Sequence, residues 1–159
     1  MSASFAFTLN GAPAQVSGPP DQPLLHALRG ELGLAATRYG CGAESCGACM
    51  VLLDGVAVNS CTISLDRLPG HAVTTVEGLG GAAAPHPLQT ALLDAQAGQC
   101  GYCLSGIQIA AAALLARDPD PSREAIAAAL AGNLCRCGAH NRIIAAVRNA
   151  ARTLRGDAT

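Results

Sequence analysis

Apolar and polar residues alternate from Ser4 to Leu9 (SFAFTL), and Asn10-Gly11 breaks that alternation before Ala14–Val16 resumes it. Period-two alternation on both sides of an Asn-Gly pair predicts a β-hairpin. The period then lengthens. Leu24, Leu25, Leu28 and Leu32 recur at helical spacing behind Asp21 and Pro23; an acidic N-cap and a proline near the first turn predict the start of an amphipathic helix. Met50–Leu53 and Val56–Asn59 flank Asp54-Gly55 as a second hairpin, and Val73–Val76 reads as one further strand. Two hairpins, one crossing helix and a last strand describe a small β-grasp-like α+β domain over 1–78. Gly78–Pro87 (GLGGAAAPHP) is a Gly/Ala/Pro connector, with 79–87 as the linker. Beyond it the alternation disappears. Leu88–Ala97, Ser105–Ala116, Arg123–Ala131 and Arg142–Leu154 carry helical patterns, with Ser122 as the cap of the third, so 88–159 is expected to be an all-α four-helix domain. The segment IQIAAAALLA is apolar nearly all round and should be buried.

Composition narrows the classes. Half of the 159 residues are apolar but only 3% are aromatic. Net charge is −1, all ten basic residues are Arg, and no basic stripe with interleaved aromatics supports nucleic-acid binding. No apolar run is long enough to span a membrane. The N-terminus lacks the charged and apolar regions of a signal peptide. A soluble, cytoplasmic protein is therefore expected, able to sit at the inner membrane or to be co-exported with a partner.

Eight cysteines change the picture most. They fall into two sets of four. A disulfide framework suits a secreted chain, whereas ligation of a metal or cluster suits a reducing compartment. Cys41, Cys46, Cys49 and Cys61 form a C-x4-C-x2-C-x11-C run inside GCGAESCGACMVLLDGVAVNSC. That is the plant-type ferredoxin spacing, in which four thiolates hold a 2Fe–2S cluster. Gly40, Gly42 and Gly47 allow the loop to curl and aim N–H groups at sulfur. Cys100 and Cys103 lie in QCGYC between the first and second helices of the second half, and Cys135 and Cys137 lie in LCRCG between the third and fourth. The two pairs can converge at one end of a bundle, where four thiolates would hold zinc or a second 2Fe–2S cluster. Zinc favours two C-x2-C knuckles, and the C-x-C half departs from that.

CGAESCGAC, QCGYC and LCRCG, in this order and spacing, resemble the small iron–sulfur subunit of the molybdenum hydroxylases, the xanthine dehydrogenase and aldehyde oxidoreductase family. The resemblance extends over essentially the whole chain. It implies a plant-type ferredoxin-like domain with one 2Fe–2S cluster and a four-helix domain with a second. It also implies a large partner subunit carrying molybdopterin, expected as the cytosine dinucleotide. Gln99 would hydrogen-bond the pterin, and Cys137 would bring its sulfur closest to it. Electrons would pass one at a time from molybdenum through the Cys100/Cys103/Cys135/Cys137 cluster and the Cys41/Cys46/Cys49/Cys61 cluster to an acceptor on another chain, a c-type cytochrome or a flavin subunit. No catalytic residue is expected on this chain. Its wording is similar to the small subunits of isoquinoline and nicotinate dehydrogenases, so hydroxylation of an N-heteroaromatic is expected, with aldehyde oxidation as the alternative. A free-standing ferredoxin is the reading from another class, and the second domain argues against it. A zinc-stapled interaction protein is the third.

Glu44 stands where the family loop commonly has glycine, and a left-handed backbone there would strain it. Ser105 occupies a position where relatives use proline and is expected to cap its helix. Tyr102 could shield a cluster or simply pack, and Arg136 could offset cluster charge. His26, His71, His86 and His140 read as isolated helix-face or loop residues, and Arg142, Arg148, Arg152 and Arg155 as a mostly solvated basic face.

Overall fold

The computed structural model describes residues 3–157. Strands β1 (Ala3–Leu9) and β2 (Ala12–Gly18) form the first hairpin, and β3 (Met50–Leu53) and β4 (Val56–Asn59) the second. Both turns have positive φ at their two central residues, 50° and 81° at Asn10-Gly11 and 49° and 83° at Asp54-Gly55. This double left-handed turn matches the right-handed twist of the strands it joins. Strand β5 (Ala72–Thr74) runs parallel to β1 and antiparallel to β3, giving the sheet order β2-β1-β5-β3-β4. Helix α1 (Leu24–Arg29) lays Leu24, Ala27 and Leu28 on the inward face of the sheet, against Phe5, Phe7, Val16, Val51 and Val73. Each such large side chain, taken from water, contributes about 1.5–3 kcal/mol.

The second half contains α3 (Pro87–Asp94), α4 (Leu104–Arg117), α5 (Arg123–Ala129) and α6 (His140–Arg155), four helices around one core. The mixed α+β class is as the pattern predicts. Helix α6 buries Ile143, Ile144, Ala146, Val147, Ala150 and Ala151, while Arg142, Arg148, Arg152 and Arg155 face outward. Helix α4 is buried because it packs not only on α3 and α5 but also against β3 and β4 of the other half.

Several local expectations are corrected. Asp21 does not cap α1: the N-cap is Pro23, with no side-chain bond, and the chain there is held by the main-chain bond from Leu24 N–H to the Ile63 carbonyl at 2.7 Å. Strand β5 stops at Thr74, and Val76 opens a short helix α2 (Val76–Leu79). Ser122 caps α5 as expected, accepting from Ala125 N–H at 3.1 Å. Ser105 does not cap α4: that position is Cys103, and Ser105 lies inside the first turn, buried. His86 is not a bare linker residue. Its Nδ1 accepts from Leu88 N–H at 3.1 Å while Gln89 Oε1 accepts from His86 N–H at 2.9 Å, a reciprocal capping box at the start of α3.

Candidate cluster sites

The loop after α1 turns tightly because glycine supplies what other residues resist. Gly42 and Gly47 have φ of 67° and 68°, and a methyl group on Gly40 would lie 2.6 Å from Cys46 Sγ. The curled loop directs main-chain donors at sulfur. Cys41 Sγ accepts from Ala43 N–H at 3.3 Å and Ser45 N–H at 3.2 Å, and Cys46 Sγ accepts from Cys41 N–H at 3.3 Å. Those donors from Ala43 and Ser45, with the Cys46 thiol, pull Cys41 down to about 7. Cys49 and Cys61 lie on the opposite, inner side, buried against Leu25 of α1. Burial first, with the neighbouring Cys61, pushes Cys49 up to about 11. The four thiols thus stand as two pairs, Cys41 with Cys46 and Cys49 with Cys61. Glu44 does adopt a left-handed backbone, φ 57°, and its carboxylate accepts from the Thr62 hydroxyl beside Cys61.

The second set repeats the arrangement at the bundle end. Cys100 and Cys103 lie in the turn from α3 to α4, and Cys135 and Cys137 in the turn from α5 to α6. Cys137 Sγ and Cys100 Sγ are 3.5 Å apart, and Cys103 pairs with Cys135. The Tyr102 N–H, then the Cys137 thiol, lower Cys100, whereas burial, then Cys135, pushes Cys103 up to about 12. Burial also opposes ionisation of Cys135, but the N–H groups of Ala139, Cys137 and Gly138 and the Cys103 thiol outweigh it, leaving that group lowered. All eight cysteines are free thiols. Among the described residues no three of His, Cys, Asp or Glu gather tightly enough for a single metal ion. A two-iron core asks for something different, four thiolates with N–H donors on the sulfurs, and both sets fit it.

The two sets are close neighbours. Leu134 N–H donates to the Cys46 carbonyl at 3.0 Å, Asn133 Nδ2 to the Gly47 carbonyl at 3.2 Å, and Ser105 Oγ to the Ala48 carbonyl at 3.3 Å. Three successive carbonyls of the first cysteine loop are therefore held by the second half. A cavity of about 210 Å³ lies between them, lined by Gly40, Cys41, Cys46 and Ala48 on one side and by Cys100, Tyr102, Cys103, Leu134, Cys135 and Arg136 on the other. Gln99 is exposed, and its Nε2 donates to the Cys137 carbonyl at 3.3 Å, so these two residues share one end of the molecule. Beside Gln99 runs a groove of about 540 Å³ between α3 and the start of α4, with no ionisable residue in its lining. Asn133, Tyr39 and the Ser105 contact escaped sequence reading. Asn133 and Ser105 donate to main-chain carbonyls distant in the chain, Tyr39 offers its own carbonyl to the Tyr102 hydroxyl, and nothing local marks these positions.

Residues 7–71 match the model of a 2Fe-2S iron-sulfur cluster binding domain, and residues 75–148 that of a [2Fe-2S] binding domain. The chain is 52% identical to a nicotinate dehydrogenase subunit of Pseudomonas putida, covering 98% of this chain and 99% of that one. It is 48% identical to the alpha subunit of isoquinoline 1-oxidoreductase of Brevundimonas diminuta, over 92% of this chain and 96% of the other. The aldehyde oxidoreductase of Desulfovibrio desulfuricans superposes with a TM-score of 0.95 at 38% identity, covering 98% of this chain but only 18% of that longer one.

Proposed function

The chain belongs to the family of small iron–sulfur subunits of the molybdenum hydroxylases, and from that premise we propose that it relays electrons from a molybdopterin centre on a large partner subunit to an external acceptor. Cys41, Cys46, Cys49 and Cys61 hold one 2Fe–2S cluster and Cys100, Cys103, Cys135 and Cys137 the other. When bound, each cluster supplies a one-electron redox couple whose potential follows local charge, N–H···S bonds and solvent exposure. The chain's residues set those terms. The N–H groups of Ala43, Ser45 and Ala139 stabilise negative sulfur, and Leu25 dries the inner side of the first set.

The Gln99/Cys137 end faces the large subunit. Gln99 would donate to the pterin, taken to be the cytosine dinucleotide form, and the uncharged groove beside it suits an apolar part of the same partner. No helix among the described residues is long and apolar enough to cross a membrane. The working division of the chain is a cluster domain over 1–78, a linker over 79–87 and a helical cluster domain over 88–159. The acceptor is a c-type cytochrome or a flavin subunit. The substrate is an N-heteroaromatic of the nicotinate or isoquinoline type, supported by the 52% and 48% identities over nearly the whole of separate small subunits. Aldehyde oxidation is the second reading, favoured by the 0.95 superposition.

The observation that carries the relay is the pairing of two cysteine sets across one cavity, tied by three hydrogen bonds to successive carbonyls. Low-temperature EPR on the purified complex tests it. A nicotinate- or isoquinoline-type substrate should reduce two distinguishable 2Fe–2S signals of equal integrated intensity. One signal only, even with dithionite, overturns the two-cluster relay. Reduction by an aldehyde but not by the heteroaromatics moves the substrate to the second reading.

A further inference from the structure

We propose that Tyr102 is a positioning residue that straps the two cysteine sets together across the cavity they share. The three bonds from Leu134, Asn133 and Ser105 all engage Cys46, Gly47 and Ala48, so they close only one side of that cavity. On another side the loop from Arg38 to Cys41 is held within its own half by Arg38 N–H on the Ala48 carbonyl at 3.2 Å, and Tyr102 ties it to the second half. The Tyr102 hydroxyl donates to the Tyr39 carbonyl, although the two residues are 63 positions apart in the chain. The Arg38 guanidinium carbon sits 5.2 Å from the centre of the Tyr102 ring, within cation–π range. Arg38 Nε is buried and donates no hydrogen bond among the described residues, while the Tyr102 ring lies against that end of the side chain.

The receiving loop is itself clamped. A methyl group on Gly42 would lie 2.7 Å from the Tyr39 hydroxyl, which places that ring directly over the turn carrying Cys41. Pulling on the Tyr39 carbonyl therefore fixes the Cys41 side of the cavity, while Tyr102 is flanked in sequence by Cys100 and Cys103. One side chain spans from one set to the other. Tyr102 is 46% exposed, so its ring stands between the cavity and solvent. The strap accordingly controls the separation of the sets and the access of water to them, and exposure to water is one determinant of cluster potential.

The proposal rests on the two-cluster reading. Tyr102→Phe keeps the ring and removes the hydroxyl; Arg38→Gln keeps the hydroxyl and removes the stack. Both are made in the full chain, purified with the large subunit, and compared as reduced proteins by EPR. The readouts are the magnetic interaction between the two cluster signals and, in D2O, the deuteron couplings at each cluster. Tyr102→Phe should retain its iron but show a weaker interaction and stronger deuteron couplings. Arg38→Gln should move both in the same direction and by less. Wild-type values in both variants overturn the strap. Loss of a cluster in Tyr102→Phe while Arg38→Gln stays wild-type also overturns it, because the hydroxyl would then serve folding and not spacing. If cluster loss accompanies the expected change in Arg38→Gln, the strap stands. A wild-type complex with one signal would instead overturn the two-cluster reading.

Discussion

Cys41 and Cys49 belong to one loop, yet their surroundings drive them apart, Cys41 down to about 7 by main-chain donors and Cys49 up to about 11 by burial. The same split between an outer, donor-rich sulfur and an inner, buried one recurs between Cys100 and Cys103. Charges placed at the outer edge of each set therefore have the shortest route to its electrostatics. Glu44 and Arg136 are two such charges, both exposed. Glu44→Gln keeps the side-chain acceptor for Thr62 and the backbone but removes one negative charge, and should raise the midpoint potential of the first cluster. Arg136→Ala removes a positive charge and should lower that of the second. A one-electron equilibrium shifts tenfold for about 59 mV, so an EPR-monitored redox titration resolves small shifts of either sign, and unchanged midpoints would refute both assignments. The left-handed backbone at Glu44 carries its own cost, about 1 kcal/mol relative to glycine.

Helix α3 shows how an element end acquires a pH dependence. His86 Nδ1 can accept from Leu88 N–H only while it carries no proton, and burial lowers His86 from its ordinary value of 6.5. The unfolded chain therefore binds this proton more readily than the folded one, so stability rises with pH through the interval from the lowered folded value up to 6.5. Above 6.5 the cap is fully available; below the folded value it is lost, at a cost of about 1 kcal/mol for a typical N-cap. Melting temperatures of the wild type and His86→Ser across this interval provide the check. Serine caps without titrating here, so the variant should have the flatter profile, and identical slopes would exclude the mechanism. Pattern reading located α3 and its neighbours within a few residues but missed this cap. Histidine is not among the favoured N-cap types, and only the folded backbone brings Nδ1 onto Leu88 N–H. It also misassigned Asp21 and Ser105, because a residue of capping type near a helix start caps only if the chain enters at the right angle.

At the scale of the molecule, two small cores are held at a fixed spacing by a seam of main chain. Gly106 in α4 lies so close to the first cysteine loop that an added methyl group would sit 1.8 Å from the Gly47 carbonyl oxygen. That neighbour is backbone and cannot swing aside, so Gly106→Ala must push α4 away from the carbonyls held by Leu134, Asn133 and Ser105. Overpacking of this kind costs about 1–3 kcal/mol. Thermal unfolding should shift down accordingly and lose coincidence between the two halves. Gly132→Ala is the control, since its methyl would meet only Met50 Cε at 3.8 Å. Equal effects from the two substitutions would show that the seam does not couple the halves.

The sequence by itself determined the elements and the chemistry. Period-two and helical patterns, Asn-Gly and Asp-Gly turns and thiol spacing are local properties of the chain, and β3, β4 and the Ser122 cap follow from them residue by residue. The grouping of the eight cysteines was legible for the same reason, because each run or pair lies within a short stretch of the chain. Tertiary structure alone decided how the sets face each other. The ties made by Tyr102, Asn133, Ser105 and Leu134 join positions far apart in the chain to main-chain carbonyls, groups every residue carries, so no residue type in the sequence marks where they will be used.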